Sequence, residues 1–577
     1  MMTFLQLILR AWAIYGGWFY GDDLKFLSQA ATERLSLDFL FTRHQQQLMP
    51  GGILVAWLVG RGPAFSWPLA ATTILAMQAV ASTSCLLMLR NLFGLRPAIL
   101  FPLALYLFSP LTLGAFMWWA AALNQLPLQI VFFLIIATHV EYMRTRKAMW
   151  VIASGALLLI GLLFYIKAVL IVPVLAFVTV AYFAEGRAWL RIRTSLRRFW
   201  PAWTSFIVVS AGYLVAYATT GESPIDGNRD SPYLETADRQ IREALGPALV
   251  GGPWRWLDPG RQDVLANAPD FSISIAWIAI VAVAGLTVQR NVGAWRAWAL
   301  LVVYLVPTVF LTTNGRAGSF GPDVGLYLRY LSDVSVVACL AIACATMTIL
   351  GATSSLRPRA RAIGVPTRWM TAGMALFAIG AVWSTIAYAQ FWQKQSPAET
   401  FVSNARAVLD PVDQIDIVDE RLPDYFVLGP NAPFDRPSRL LAPFGKKITP
   451  VKGGTDLEIF SPSGQLESAV VTPGITSEPV VDKDCGTLVK SKPRSIDLEY
   501  PVTDETWWMS IPYLASDTGV LTVEAGDNVK SFLLEEGPHS LFYRTTGTYD
   551  SVTLTVATPK LGVCVLEISV GFIGHFD

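Results

Sequence analysis

The chain has 577 residues, of which 53% are hydrophobic and only 15% are charged, and its mean hydropathy is +0.46. A soluble protein of this length carries more charge, so the composition indicates a polytopic membrane protein. The formal net charge of +1 offers no global attraction for nucleic acid or for a strongly acidic partner, and we expect neither. The lipid bilayer is the partner that the composition predicts.

Eleven apolar stretches, each about the length of a membrane span, recur along the first 390 residues. They predict helices at 1–20, 66–89, 98–118, 123–142, 149–165, 167–184, 200–218, 271–289, 295–313, 331–350 and 369–390. The first stretch is short and contains Arg10, and a signal peptide is the alternative interpretation. However, no basic region precedes it and no small-residue cleavage pattern follows it, so we treat it as the first span.

Basic residues are concentrated in every second connection between these spans. Five connections carry 16 of them and no acid between their basic ends: Arg90, Arg96, Arg144, Arg146, Lys147, Arg187, Arg191, Arg193, Arg197, Arg198, Arg290, Arg296, Arg357, Arg359, Arg361 and Arg368. By the positive-inside rule these connections and the N-terminus face the cytoplasm. Alternation then places loops 21–65 and 219–270, and everything after residue 390, outside the plasma membrane.

Two adjacent acids, Asp22 and Asp23, follow the first span in "WFYGDDLKF". Apolar residues then recur at helical spacing through residues 24–35, which predicts an amphipathic helix in the outer interface. The simplest interpretation makes Asp22 a polar stop and Asp23 a helix cap. The functional interpretation makes one acid a general base that deprotonates an acceptor hydroxyl while the other orients it. We favour Asp22 as the base, by a narrow margin.

Cations predicted at the same membrane face would stabilise a phosphate leaving group. Lys167 lies at a tight reversal between two spans, Arg316 in an outer loop, and Arg329 next to Tyr330 in "GLYLRYLSD". Lys167 and Arg316 are equally well explained as snorkelling anchors. For Arg329 the alternative is an ion pair with Asp333 one turn deeper. We therefore take Arg329 with Tyr330, Lys167 and Arg316 as candidate phosphate ligands.

Further polar and aromatic residues in the predicted outer segments are candidate sugar contacts. They are His44, Gln47, Trp118, Trp119, Asn124 and Gln125. Solvation of the loop is the alternative for His44 and Gln47, and an interfacial aromatic belt is the alternative for the two tryptophans. Too few oxygen ligands cluster to predict a metal, although a divalent cation bridging the acid pair stays open.

From residue 393 the pattern changes to short alternating runs separated by turn residues, which predicts a β-sandwich. We therefore divide the chain into a membrane domain, 1–392, and an outer, mainly β domain, 393–577, with an α/β lead-in at 398–460. Its aromatic residues either stack on carbohydrate or fill the core: Trp507, Trp508, Tyr513 and Tyr549. Outside the cell, a lone pair of cysteines is most simply a disulfide, here Cys485 with Cys564.

An acid pair after the first span, an interfacial helix, about ten further spans and an outer β domain together resemble the GT-C superfamily of membrane glycosyltransferases. More narrowly, they resemble its actinobacterial branch of arabinofuranosyl and mannosyl transferases of the cell envelope. The resemblance implies a polyprenyl-phosphate sugar donor, an inverting hexosyl or pentosyl transfer to an envelope glycan or lipid-linked acceptor, and a carboxylate base, Asp22 or Asp23. It extends to Arg329 and Tyr330, which are similar to an Arg-Tyr pair near the donor phosphate in some relatives.

Two features depart from that resemblance. His44 lies six residues before Pro50, although some relatives place a histidine closer to this proline, and no WWD-type signature is present. Two other functions remain open: a transporter or flippase of lipid-linked sugars, and a non-catalytic scaffold that presents the sandwich to the envelope. Transporters show related halves and midplane charges, whereas this chain has no internal repeat and concentrates its charges at the predicted outer boundary.

Overall fold

The computed structural model describes residues 1–45, 47–219, 232–259, 264–360, 363–364, 366–423, 426, 431–478 and 485–575. Parts of the predicted loop 219–270 and of the lead-in 398–460 therefore lie outside the described residues. The chain divides into two compact units, Met1–Gln395 and Ser396–Asp577. We call them unit 1 and unit 2.

Unit 1 is built from helices, and each of the eleven predicted spans coincides with one. Among the described residues, seven are long and apolar enough to cross a membrane: Trp67–Phe93, Pro97–Phe116, Trp119–Thr145, Trp200–Ala218, Asp270–Arg290, Trp295–Phe320 and Thr367–Trp392. The other four predicted spans are shorter apolar helices: Met2–Tyr15, Ala148–Phe164, Ile166–Tyr182 and Val334–Thr346. The expected multi-pass helical membrane fold is thus confirmed.

The helix Val334–Thr346 shows why some spans are short. All of its residues from Val334 to Ala345 are buried, so it packs inside the unit and contacts other helices on every side. The predicted span 331–350 was too long at both ends. A 3-10 turn, Leu328–Leu331, precedes the helix, and Met347 after it is extended.

The predicted interfacial helix is present as Asp22–Thr32, which we call the acid helix. It ends earlier than the apolar pattern suggested, because Glu33 is extended. A second short helix, Pro50–Gly60, has a proline at its first position and packs against the acid helix. The remaining helices and 3-10 or π segments of unit 1 are Leu37–Leu40, Ala188–Arg198, Tyr233–Asp238, Arg239–Leu245, Gly246–Leu249 and Pro322–Leu326.

Unit 2 contains the expected β-sandwich. One sheet has seven strands: Gly453–Thr455, Val470–Thr476, Thr487–Val489, Thr506–Ala515, Gly537–Thr546, Val563–Val565 and Ser569–Gly574. The other has four antiparallel strands: Arg494–Val502, Gly519–Ala525, Asn528–Leu534 and Tyr549–Val556. Alternate residues of both sheets, such as Met509, Ile511, Leu521 and Val552, meet in one hydrophobic core.

The first part of unit 2 combines a helix with short strands. The helix Pro397–Leu409 is capped by Ser396, whose Oγ accepts a hydrogen bond from the Glu399 N–H. Ile415–Ile417 pairs in parallel with Ile448–Pro450, and Glu458–Phe460 pairs with Leu466–Ser468. A disulfide joins Cys485 to Cys564 across a Cα–Cα distance of 5.1 Å.

Candidate active site

The two acids occupy the first two positions of the acid helix. Gly21 before them has φ 52°, a left-handed conformation that glycine adopts without strain, and this turn directs the chain from the first helix into the second. Asp22 is 5% exposed and Asp23 is fully buried. The helix dipole stabilises carboxylates at a helix N-terminus. Because burial of a charge is costly, these two carboxylates also need hydrogen-bond or ionic partners.

Both carboxylate oxygens of Asp23 accept hydrogen bonds from the backbone. Oδ2 accepts from the Tyr20 N–H at 3.0 Å, and Oδ1 accepts from the Ala120 N–H at 2.7 Å. Ala120 lies in the first turn of the helix Trp119–Thr145, whose own N-cap residue makes no side-chain cap. Asp23 therefore caps a second helix from a distant segment. Burial raises the pKa of Asp23, and these two N–H groups oppose the rise.

Asp22 makes its contacts with side chains of the following loop. Its Oδ1 accepts a hydrogen bond from Gln45 Nε2 at 3.0 Å, and its Oδ2 lies 3.1 Å from His44 Nε2. The imidazole of His44 is buried against the Phe26 ring, with 4.6 Å between centroids. Arg316 reaches the same loop, where its Nη2 donates to the Gln45 carbonyl at 3.5 Å. A histidine thus contacts the less enclosed acid of the pair, and an arginine reaches the main chain of Gln45, which bonds to the same acid.

The loop that carries His44 is fastened to neighbouring helices. Arg43 donates to the Tyr217 carbonyl at 2.5 Å and lies 4.3 Å from the centroid of the Tyr217 ring. The Tyr213 hydroxyl donates to the Leu48 carbonyl at 2.8 Å. Asn124 and Gln47, both candidate sugar contacts, bond to each other, since Asn124 Nδ2 donates to Gln47 Oε1 at 3.3 Å. These contacts hold the loop over the acid helix.

Arg329 lies among three aromatic rings. Its Cζ is 4.8 Å from the ring centroid of Trp118, 4.3 Å from that of Tyr327 and 4.9 Å from that of Tyr330. Trp118 also donates its indole N–H to the Tyr20 carbonyl at 3.1 Å. One indole therefore contacts both the segment that leads into the acid pair and the guanidinium of Arg329.

The backbone at Arg329 approaches the neighbouring helix closely. A Cβ on Gly114 would lie 2.9 Å from the Arg329 backbone nitrogen, so this crossing requires glycine. The side-chain amide of Gln125 donates to the Arg329 carbonyl at 3.1 Å, and Gln125 is buried. Gln125, a candidate sugar contact from sequence, thus bonds to the main chain beneath the arginine.

Lys167 is paired within the protein. Its Nζ lies 2.7 Å from Asp333 Oδ1 and donates to the Tyr330 carbonyl at 3.0 Å, and both charged side chains are buried. The other Asp333 oxygen accepts a hydrogen bond from the Tyr304 hydroxyl. Asp333, the alternative partner that the sequence offered for Arg329, therefore pairs with Lys167. Lys167 is thus already paired in the structure, and its assignment as a phosphate ligand stays a prediction.

Several predicted ligand contacts turn out to be core residues. Trp119 is fully buried and packs edge-on against Phe19, so its ring is not available to a sugar. In unit 2, Trp508, Tyr513 and Tyr549 are buried as well. An apolar ring is most stable inside a well-packed core, and that preference outweighs stacking on carbohydrate at these positions. Only Trp507 of the four is partly exposed.

Three residues near the acids were missed from sequence. Gln45 bonds to Asp22, the Tyr20 main chain bonds to both Asp23 and Trp118, and Lys25 lies close enough for Asp22 to act on its charge. Burial lowers the pKa of Lys25, and the negative charge of Asp22 opposes that shift. Gln45 follows His44 directly, so the polar run "RHQQQ" was an available signal. Among the residues that the structure describes, no group of three or more His, Cys, Asp or Glu side chains is arranged to hold a metal ion.

No protein-family model matches the chain, and no curated protein shows significant sequence similarity to it. Among solved structures it is similar to the arabinofuranosyltransferase AftD from Mycobacteria, at 12% identity and a TM-score of 0.38 over 100% of this chain and 58% of that one. It is also similar to ArnT from Cupriavidus metallidurans in the apo state, at 12% identity and a TM-score of 0.40, over 76% of this chain and 83% of that one.

A second ArnT structure, bound to undecaprenyl phosphate, gives 11% identity and a TM-score of 0.39, over 76% of this chain and 84% of that one. The chain thus spans 58% of the length of the AftD chain. At these identities and TM-scores the likenesses do not assign a function to this chain.

Proposed function

We propose that this protein is a membrane glycosyltransferase that moves a sugar from a polyprenyl-phosphate donor to an envelope glycan or lipid-linked acceptor. Transfer takes place at the membrane face where Asp22 lies, which is the extracytoplasmic face by the distribution of basic loops. Asp22 is the general base. Arg329, with Arg316 as a second cation, stabilises the leaving phosphate.

The observation that carries the proposal is that Asp22 is linked to Arg316 and to Arg329 through shared neighbouring residues. Asp22 bonds to Gln45, and Arg316 bonds to the carbonyl of that same residue. Arg329 packs on Trp118, which bonds to the main chain two residues before Asp22. Asp22 and the two arginines, which are far from it in sequence, thus share neighbouring residues. This arrangement supports a base and two cations acting on one glycosyl phosphate.

The chemistry is a single displacement. The Asp22 carboxylate takes the proton of an acceptor hydroxyl while the oxygen attacks the anomeric carbon of the donor. The bond from that carbon to the phosphate oxygen breaks, and the phosphate leaves with the electron pair. The guanidinium of Arg329 stabilises the additional negative charge. Because attack and departure occur on opposite sides, the anomeric configuration inverts.

The structure favours Asp22 over Asp23 as the base. Asp23 is fully buried and both of its oxygens accept main-chain hydrogen bonds, so it holds two segments together. Asp22 faces side chains that can rearrange when an acceptor binds. His44 lies 3.1 Å from Asp22 and is positioned to orient the carboxylate or to bond to the acceptor. Gln47, from the same loop, bonds to Asn124 of the helix Trp119–Thr145.

The test uses the full chain, purified and incubated with a panel of polyprenyl-phosphate pentoses and hexoses and with envelope glycan acceptors. We expect one donor to be consumed, with inversion of the anomeric centre in the product. The variant Asp22→Asn should lose transfer while it still binds the donor. Asp38→Asn is the matched control, since Asp38 is an exposed acid of the same loop region. Full transfer by Asp22→Asn would overturn the assignment of the base.

A further inference from the structure

The helix Ala188–Arg198 lies on the surface of unit 1 and contains four arginines and no acid. Only one of its residues, Ser195, is buried. An eleven-residue helix with so little packing is not stabilised by the protein core alone. We therefore infer that a surrounding other than the protein core contacts part of this helix.

One face of this helix packs on the bundle. The Arg191 guanidinium bonds to the Gly186 carbonyl at 2.8 Å and to the Ser354 hydroxyl at 3.5 Å, and Ser195 lies one turn further on the same side. The Ser195 carbonyl accepts the Trp203 indole N–H at 3.1 Å. Arg191 therefore serves the fold and is not available to a ligand.

A second face is apolar and exposed. Trp189, Ile192 and Leu196 follow the spacing i, i+3, i+7, which places them in one stripe along the helix. They are 74%, 40% and 55% exposed, respectively. Trp200, 62% exposed, extends the stripe just beyond the helix. Water is a poor environment for four large apolar side chains in a row.

A third face is basic. Arg193 and Arg197 are one turn apart and both exposed, and neither side chain makes a hydrogen bond or an ion pair with any residue that the structure describes. Two further cations lie near the end of this helix or next to it in sequence. Arg146 bonds to the Arg198 carbonyl at 2.5 Å, and Lys147 follows it in an exposed position. The basic stripe adjoins the apolar one on the surface that faces away from the bundle.

This helix lies at the opposite end of unit 1 from the acid pair. The helix Trp119–Thr145 starts at the contact between Ala120 and Asp23, and it is followed directly by Arg146, which contacts Arg198. A helix of that length spans roughly 40 Å, which is about the thickness of a bilayer with its headgroups. The basic helix is therefore placed at the level of lipid headgroups.

We propose that the helix Ala188–Arg198 binds anionic phospholipids at the headgroup boundary. Trp189, Ile192 and Leu196 enter the acyl region, and Arg193 and Arg197 bond to lipid phosphates, with Lys147 next to them. A tryptophan beside aliphatic side chains on one face and arginines on the next matches a membrane interface. An acidic protein partner would match the charge of the arginines. It would not explain the exposed apolar stripe next to them.

The test measures lipid selectivity of the full chain. Protein in detergent is equilibrated with equal amounts of phosphatidylglycerol and phosphatidylcholine, and the retained lipids are counted by native mass spectrometry. We expect enrichment of phosphatidylglycerol, and the double variant R193Q/R197Q should reduce it by roughly fivefold for each arginine. The control K490Q/K492Q removes the same charge from exposed positions of unit 2 and should leave the ratio unchanged.

A second measurement does not depend on the variants. A photoreactive phosphatidylglycerol should crosslink to wild-type peptides that contain residues 188–200, and a photoreactive phosphatidylcholine should do so much less. Equal crosslinking by the two lipids, or equal phosphatidylglycerol enrichment in R193Q/R197Q and wild type, would overturn the proposal. These outcomes do not involve Asp22 or sugar transfer.

Discussion

The carboxylate of Asp23 accepts a hydrogen bond from the backbone N–H of Ala120, 97 residues later in the chain, at 2.7 Å. An acid of the second helix therefore caps the helix Trp119–Thr145. The two acids of the pair therefore have different kinds of partner. One member is held by main-chain donors, and the other faces a loop of polar side chains.

The variant Asp23→Asn should lower the stability of unit 1 by about 1–3 kcal/mol, because its amide nitrogen would face a main-chain donor and leave it unsatisfied. Asp22→Asn should change stability less, since its partners are side chains that can move. Thermal unfolding in detergent, followed by near-UV circular dichroism, compares the two variants. A larger loss for Asp22→Asn than for Asp23→Asn would contradict this division.

Arg329→Gln should reduce the turnover number for glycosyl transfer about 100-fold or more, because the leaving phosphate loses a preorganised cation. Arg329→Lys should recover only part of that loss, since a compact ammonium does not stack over three rings as a guanidinium does. Arg34→Gln, at an exposed position just after the acid helix, is the control. Steady-state kinetics measure the effect, and unchanged turnover in Arg329→Gln would exclude a role in leaving-group stabilisation.

Lys167→Met should destabilise unit 1 by roughly 3–5 kcal/mol, because it leaves the Asp333 carboxylate buried without its cation. The double variant K167M/D333N removes both charges and should regain much of that stability. It should also regain transfer activity if Lys167 acts through the fold. Restored stability without restored activity would instead return Lys167 to the phosphate site.

Unit 2 should become less stable as the pH rises, because His539 then loses the proton that stabilises its contact with Asp456. His539 Nδ1 lies 2.5 Å from Asp456 Oδ2, and this hydrogen bond raises the pKa of His539 above its ordinary value. The stabilisation is complete below the unfolded pKa of about 6.5 and is lost as the pH rises through the raised folded pKa. Hydrogen exchange in the strand Gly537–Thr546 should therefore speed up between pH 6 and pH 8, beyond the intrinsic pH effect.

The variant His539→Gln tests whether the pH dependence of exchange comes from the His539–Asp456 pair. It should remove the extra pH dependence and leave only the intrinsic rise in exchange rate, and Asp456→Asn should do the same. A pH dependence that persists in both variants would show that another group is responsible.

Local patterns in the sequence predicted the elements of this fold. A membrane span requires an apolar run and a half-buried strand requires alternation, so both leave a readable trace over a few residues. The acid helix was visible for the same reason, although its end was not. The two acids themselves stood out because charge is rare in the surrounding sequence.

Contacts between distant segments left no such trace. Nothing in the spacing of the chain indicated that Lys167 would pair with Asp333, 166 residues away, or that Trp118 would link Tyr20 to Arg329. Alternation also does not tell which face of a sheet is covered. Trp508 lies on the outer face of the larger sheet, yet it is buried because Val418 and Leu457 of the lead-in pack over it.

The helix Trp119–Thr145 carries the anchor of Asp23 at one end and is followed by the arginine that contacts the basic helix at the other. Its length therefore fixes how far apart the two surfaces of this protein can be. A bilayer with much shorter or longer acyl chains cannot match both levels at once and must deform locally. For the proposed donor, membrane thickness would set how deep the lipid-borne phosphate lies relative to Asp22, and acyl-chain length would then be a physical control on the proposed site.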